Sequence, residues 1–268
     1  MKVFVSVGMG GVSTTLSNNE IDENGSAYIG AAAEMTREAI AACEGAMIGG
    51  ATEIYVRDAH GSAKNIDPYA MPRYVKLIRG WSGDPRHMID GIDSSFDACM
   101  FVGYHSGSFG RGNPLSQTII EDVFYIKLNG SYASEFTLFS YLAAYYGVPT
   151  VFLSGDKMLC DEALKLGHPA LVTVPVNEVL GGATTIIHPQ DVCEAIKAGA
   201  EKAIKESVKN AVAALPDKYT VEICFKDHIK AKKASFYPEV SQIDSCTLLY
   251  QPPDMTDAMR FLLYALIL

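Results

Sequence analysis

Hydrophobic and polar positions follow one another along the 268-residue chain in blocks whose period changes from block to block. Residues 2–7 are β-branched and alternate, which predicts a first strand. A loop rich in Gly, Ser, Thr and Asn follows over 8–25. Residues 27–48 carry Ala, Met and Glu at helical spacing and stop at Gly49-Gly50, a glycine-terminated helix. Short strands are predicted over 53–57 and 75–79, and the unbroken apolar run 98–104 predicts a strand covered on both faces. Residues 123–128 and Tyr132 flank Asn129-Gly130, a two-residue hairpin turn. Beyond it the pattern predicts a helix over 135–146, a buried strand over 149–153, a helix over 159–166, an extended segment over 170–174 and a long helix over 189–215.

Strands and helices alternate, so the expected fold class is α/β, a mainly parallel sheet flanked by helices. After Pro216 the pattern changes to a strand at 221–225, a basic helical stretch, a strand at 247–250 and a final helix. Residues 217–268 are read as an appended α+β segment within a single domain spanning 1–268.

Composition narrows the function classes. The net charge is −9, and no basic stripe is available to neutralise phosphates, so a nucleic-acid role is not expected. Lys230, Lys232 and Lys233 read as a solvated helix face. None of the six cysteines forms a C-x-x-C pair, and free thiols in a reducing compartment are expected. Residues 1–7 form a strand-like run rather than a leader, and the apolar residues 261–268 are too few to span a bilayer. A cytoplasmic protein with no membrane partner is the expectation, its apolar tail packed into the core or a subunit contact.

Candidate chemistry lies where strands leave the sheet. His60 follows the second strand and His105 follows the apolar strand, both at the carboxyl edge where open α/β sheets build sites. Asp58 and His60, two apart, face the same way on an extended chain. Glu135 opens a helix, where the helix dipole also favours a carboxylate. From spacing alone a hydrogen-bonded structural role is the commoner reading of such residues, and metal binding the less common one. His87, His168, His188 and His228 read as structural or solvated. The loop from Gly8 to Thr14 lacks the lysine of a P-loop and the dinucleotide fingerprint.

The ordered blocks at 1–13, 57–62, 88–93, 103–105, 115–119 and 135–149 together resemble the DppA-type zinc D-aminopeptidases, over most of the chain and weakest after Pro216. The resemblance implies a two-zinc site that removes N-terminal D-amino acids from small peptides, in a ring-shaped homodecamer. It makes His60, His105 and Glu135 metal ligands, with Asp58 and Ser116 in the surrounding pocket. The chain departs from the family pattern at three places. Gly8 and Gly10 stand where the family has an aspartate and a glutamate ligand, and Gln117 stands where it has the proposed catalytic histidine. Two zinc ions bring four positive charges, and the only one of the family's ligand carboxylates left here is Glu135. Glycine offers no side-chain donor, and an amide does not titrate near neutrality. The expectation is at most one zinc per subunit, since two histidines and a glutamate are a catalytic zinc set. Two readings stay open: a metallohydrolase of small peptides or amides with an altered site, and a catalytically silent paralogue that binds a small ligand or serves an assembly. Gly8→Asp, Gly10→Glu and Gln117→His together are expected to recover two metals if the site is otherwise intact.

Overall fold

The computed structural model describes residues 1–206 and 211–267. In chain order these residues form β1 (Lys2–Val7), α1 (Asn18–Ile21), α2 (Tyr28–Gly49), β2 (Glu53–Asp58), β3 (Val75–Ile78), β4 (Ala98–Tyr104), β5 (Val123–Leu128) and β6 (Ser131–Tyr132). There follow α3 (Glu135–Tyr145), β7 (Thr150–Asp156), α4 (Lys157–Ala163), β8 (Val172–Leu180), β9 (Ala183–Ile186) and α5 (Pro189–Glu206). The chain closes with β10 (Val221–Phe225), α6 (His228–Ala234), β11 (Ser241–Gln242), β12 (Thr247–Tyr250) and α7 (Met255–Ile267).

Seven strands make one sheet in the order β3-β2-β1-β4-β7-β8-β9. Every pair in it is parallel except β8 with β9. The strand period of two divides the core. Val3, Val5 and Val7 of β1 point to one face, toward Ala39, Ala42, Ala46 and the α5 residues Ile196 and Ala200. Phe4 points to the other, where Phe101, Phe136, Phe139 and Phe261 are buried. Helices α2 and α5 therefore cover the first face. They approach closely: a Cβ on Gly45 would lie 2.1 Å from the Lys197 carbonyl oxygen. The second face is shared by α3, α7 and a five-stranded antiparallel sheet, β11-β12-β10-β5-β6. Strand β10 pairs with β5, so strands from beyond Pro216 complete the sheet that the 123–132 hairpin begins.

Three local readings differ from the sequence pattern. A capping carboxylate makes α1 inside the expected loop: Glu20 accepts hydrogen bonds from the Leu16 and Ser17 amides, each at 2.8 Å. The extended segment at 170–174 runs on to Leu180 and turns back into β9 through Gly181, whose φ is +65°. Mixed polarity in Val-Pro-Val-Asn-Glu conceals that strand. The helix predicted over 189–215 is described as far as Glu206; residues 207–210 lie outside the described residues, and 211–215 are not helical. Leu215 precedes a proline, which disfavours the helical conformation. Among the described residues no helix is long and apolar enough to cross a membrane. All six cysteines are free, and Cys43, Cys99 and Cys160 are buried.

The loop after β1 carries Gly8 and Gly10 and is fixed from both sides. Gly8 and Gly11 donate to the Val102 and Gly103 carbonyls at 2.8 and 2.9 Å, continuing along β4. The Ser13 amide donates to the Glu38 carboxylate of α2 at 2.9 Å. Glu38 is fully buried, and burial raises its pKa from 4.5 to about 7, with nearby Glu34 adding to the rise and Ser13 and Arg37 opposing it. An acid whose folded pKa is raised gives stability that is complete below pH 4.5 and is lost as pH rises through about 7. Glu38→Gln keeps an acceptor for Ser13 and removes the charge. It is expected to raise stability at pH 8 by on the order of 3 kcal/mol and to flatten the pH dependence between 4.5 and 7. Chemical denaturation at pH 5 and pH 8 checks this; an equal effect of the substitution at both pH values would contradict it.

Candidate functional site

A cavity of about 460 Å³ opens at the carboxyl ends of β1, β2 and β4. Each expected site residue reaches it through a local device, or fails to. His105 is the first residue beyond β4 and is buried. Its Nδ1 faces the Ser106 carbonyl at 3.0 Å and donates to it, so in the neutral ring Nε2 is the acceptor nitrogen. Glu135 is the first residue of α3, behind a Ser134 cap whose hydroxyl accepts from the Thr137 amide at 3.1 Å. Its Oε1 accepts from the Ile119 amide at 2.8 Å, and its Oε2 lies 3.7 Å from His105 Nε2. Ile119 presents that amide with φ +69°, a costly backbone state for a β-branched residue.

His60 lines the same cavity two residues after β2. Its Nε2 is 2.9 Å from the Ile21 carbonyl oxygen, at the end of α1, and so donates a proton there. Burial holds its pKa below the ordinary value, partly offset by the Ile21 hydrogen bond and the Glu135 charge. Gln117, Gly8 and Gly10 also face the cavity. Asp58 and Ser116 are not part of its wall. The Asp58 carboxylate turns the other way and accepts from the Asn65 and Ile66 amides at 2.6 and 2.8 Å, shaping the loop that follows His60. The Ser116 hydroxyl accepts from the Asn113 amide at 3.1 Å.

Four wall residues carried no signal in the sequence pattern. Trp81 and His87 stack with ring centroids 4.1 Å apart, and the Trp81 indole N–H donates to the Gly61 carbonyl at 2.7 Å. His87 is driven down to about 4 by burial and by the neighbouring Arg57 charge. Leu263 and Ile267 reach the cavity from α7, so the apolar tail closes the site as well as packing into the core. A proline and an Arg-His pair in a glycine-rich loop gave no period to read. Of the other histidines, His168 is held by Ser140 Oγ at 3.1 Å, and His188 and His228 are exposed.

This frame has known counterparts. The profile of Peptidase_M55, described as D-aminopeptidase, matches residues 1–264. A D-aminopeptidase of Bacillus subtilis (strain 168) is 27% identical over 267 residues, 98% of this chain and 96% of that protein. The solved structure of the Zn-dependent D-aminopeptidase DppA from Bacillus subtilis, a self-compartmentalizing protease, superposes with a TM-score of 0.91 at 27% identity. The superposition covers 99% of this chain and 96% of that one. The chain belongs to the D-aminopeptidase family.

Within that family fold, the donors present here do not fit two zinc ions. Among the described residues no group of three or more His, Cys, Asp or Glu side chains is arranged to hold a metal. His105 Nε2 and Glu135 Oε2 present free donor atoms to one point, but His60 Nε2 is committed to a carbonyl. The glycines are also more than missing ligands. A Cβ on Gly10 would lie 2.5 Å from His105 Cδ2 and 3.1 Å from its Nε2. A Cβ on Gly8 would lie 2.8 Å from the Gly103 carbonyl oxygen. The His105 ring thus occupies the space where a residue-10 side chain would start.

Proposed function

We propose that the protein is a D-aminopeptidase-like hydrolase scaffold for small peptides whose catalysis is reduced or lost, and that it holds at most one zinc ion per subunit. The observation that carries this reading is the triad of substitutions facing one cavity: Gly8, Gly10 and Gln117 supply neither a ligand carboxylate nor a titratable group. What remains are His60, His105 and Glu135, residue types that make a catalytic zinc site once His60 releases the Ile21 carbonyl. A zinc ion there would polarise a scissile carbonyl and acidify a bound water. The residues themselves do less. Glu135, anchored by the Ile119 amide, keeps one oxygen free for a cation, and His105, anchored by Ser106, keeps one acceptor nitrogen. Gln117 can orient a substrate amide by hydrogen bonds but cannot move a proton.

The silent-paralogue reading draws its support from the two contacts that oppose metal binding. These are the His60 bond to Ile21 and the His105 ring against Gly10. Metal analysis of purified protein beside turnover of a D-alanyl peptide separates the readings. One zinc with slow cleavage supports the altered hydrolase; no zinc and no cleavage support the silent binder; two zinc ions with brisk cleavage defeat both.

A homo-oligomer completes the proposal, since the solved relative is described as self-compartmentalizing. Light scattering at micromolar concentration is expected to give a mass several times 29.0 kDa. A monomer under those conditions would contradict it.

A further inference from the structure

We propose that Arg57 is an anion anchor, and that the cavity takes a small ligand bearing a carboxylate. Arg57 lies on β2 and is fully buried. Its Nη1 donates to the Gly80 carbonyl at 2.5 Å, while Nε and Nη2 meet no acceptor. Among the described residues no carboxylate lies within ion-pair distance of it. Asp58, its chain neighbour, is taken up by Asn65 and Ile66. Asp90 is bonded to the Ser82 hydroxyl and lies 3.8 Å from Arg86. A guanidinium cannot shed its charge at any working pH; Asp90 and Asp58 offset that charge only through space, and two buried N–H groups without an acceptor call for a reason.

The surroundings of Arg57 give one. Its guanidinium carbon sits 4.4 Å from the Trp81 ring centre, and its charge is felt by His87 and Tyr104. Trp81, His87, Tyr104 and Asp90 all line the cavity, so the unpaired N–H groups lie one side chain behind its wall. The covering segment holds Gly80, Gly83 and His87 at positive φ, and Trp81 is 36% exposed. A ligand that displaces the Trp81 ring reaches two parallel donors, the fork that matches a carboxylate. On the same cavity wall Glu135 Oε2, 3.7 Å from His105 Nε2, is available to an ammonium group. The cavity of about 460 Å³ has room for a dipeptide. The choice of a peptide rests on the proposed function; the carboxylate anchor does not require turnover.

The test is equilibrium binding at pH 7 of D-alanyl-D-alanine against the same dipeptide amidated at its C-terminus. The wild-type protein is expected to bind the free acid about 10- to 100-fold more tightly than the amide. Arg57→Gln should bring that ratio to about one, and Arg57→Lys, a point charge without the fork, should keep part of it. A wild-type ratio near one, a ratio unchanged in Arg57→Gln, or binding of neither ligand overturns the proposal. If Arg57→Gln does not fold, the Arg57 Nε–H resonance of the wild-type protein decides: it should shift with the acid and stay with the amide. Cleavage of acid and amide at equal efficiency would uphold the peptidase reading while removing this one; absent cleavage with the ratio intact would do the reverse.

Discussion

Supplied with excess zinc, the protein is expected to cleave D-alanyl peptides about 10²–10⁴-fold more slowly than a relative carrying the complete ligand and histidine set. That range is what a positioned acid–base group contributes, and the residue facing the cavity at 117 is an amide. The metal deficit acts in the same direction, because a second ion has no carboxylate from Gly8 or Gly10 to hold it. Gln117→His alone should therefore recover little, since a histidine restored beside an incomplete metal set lacks the ion it works with. Steady-state rates for both proteins at matched zinc and pH check this. Rates within a factor of a few of each other would show that the cavity catalyses by a route these residues do not explain.

Gly8→Asp with Gly10→Glu is expected to destabilise the protein by about 4 kcal/mol or more when zinc is withheld. Sequence alone suggests that this pair, with Gln117→His, rebuilds the two-metal site; the packing argues otherwise. The Gly10 Cβ would press on the His105 ring at 2.5 Å, and the Gly8 Cβ on a backbone oxygen at 2.8 Å. Overpacking of this kind costs about 1–3 kcal/mol per position. Two more carboxylates beside Glu135 add a desolvation and repulsion cost of several kcal/mol without a cation to meet them. The His105 ring can rotate, but the carbonyl against Gly8 belongs to the end of β4, which is paired with β1 and β7. Thermal unfolding with and without zinc measures the effect. Unchanged stability without zinc would mean that the loop from Gly8 to Gly11 yields more easily than its contacts imply.

The sequence exposed the central scaffold well because β1, β4 and β7 are buried along nearly their whole length and α2 ends on glycine. The run at 98–104 has no polar residue to disguise it, and all seven residues of β4 are buried. The site was legible only in part. His60, His105 and Glu135 sit at element ends, where position in the sequence marks position in the fold. Trp81 and His87 come from a loop without period, and Leu263 and Ile267 come from α7, more than a hundred residues from Glu135. No spacing rule joins such segments; tertiary packing does. The crowding at Gly10 was equally hidden, since a glycine in a sequence does not say which neighbour fills the space it leaves. Arg57 read as an ordinary strand residue, and only burial without an acceptor sets it apart.

On the function proposed, this family scaffold lacks the means to hold two metal ions. Native mass spectrometry of the subunit after saturation with zinc and removal of loosely bound ions tests it most directly. Zero or one zinc per subunit is the result expected; two retained zinc ions per subunit would contradict it.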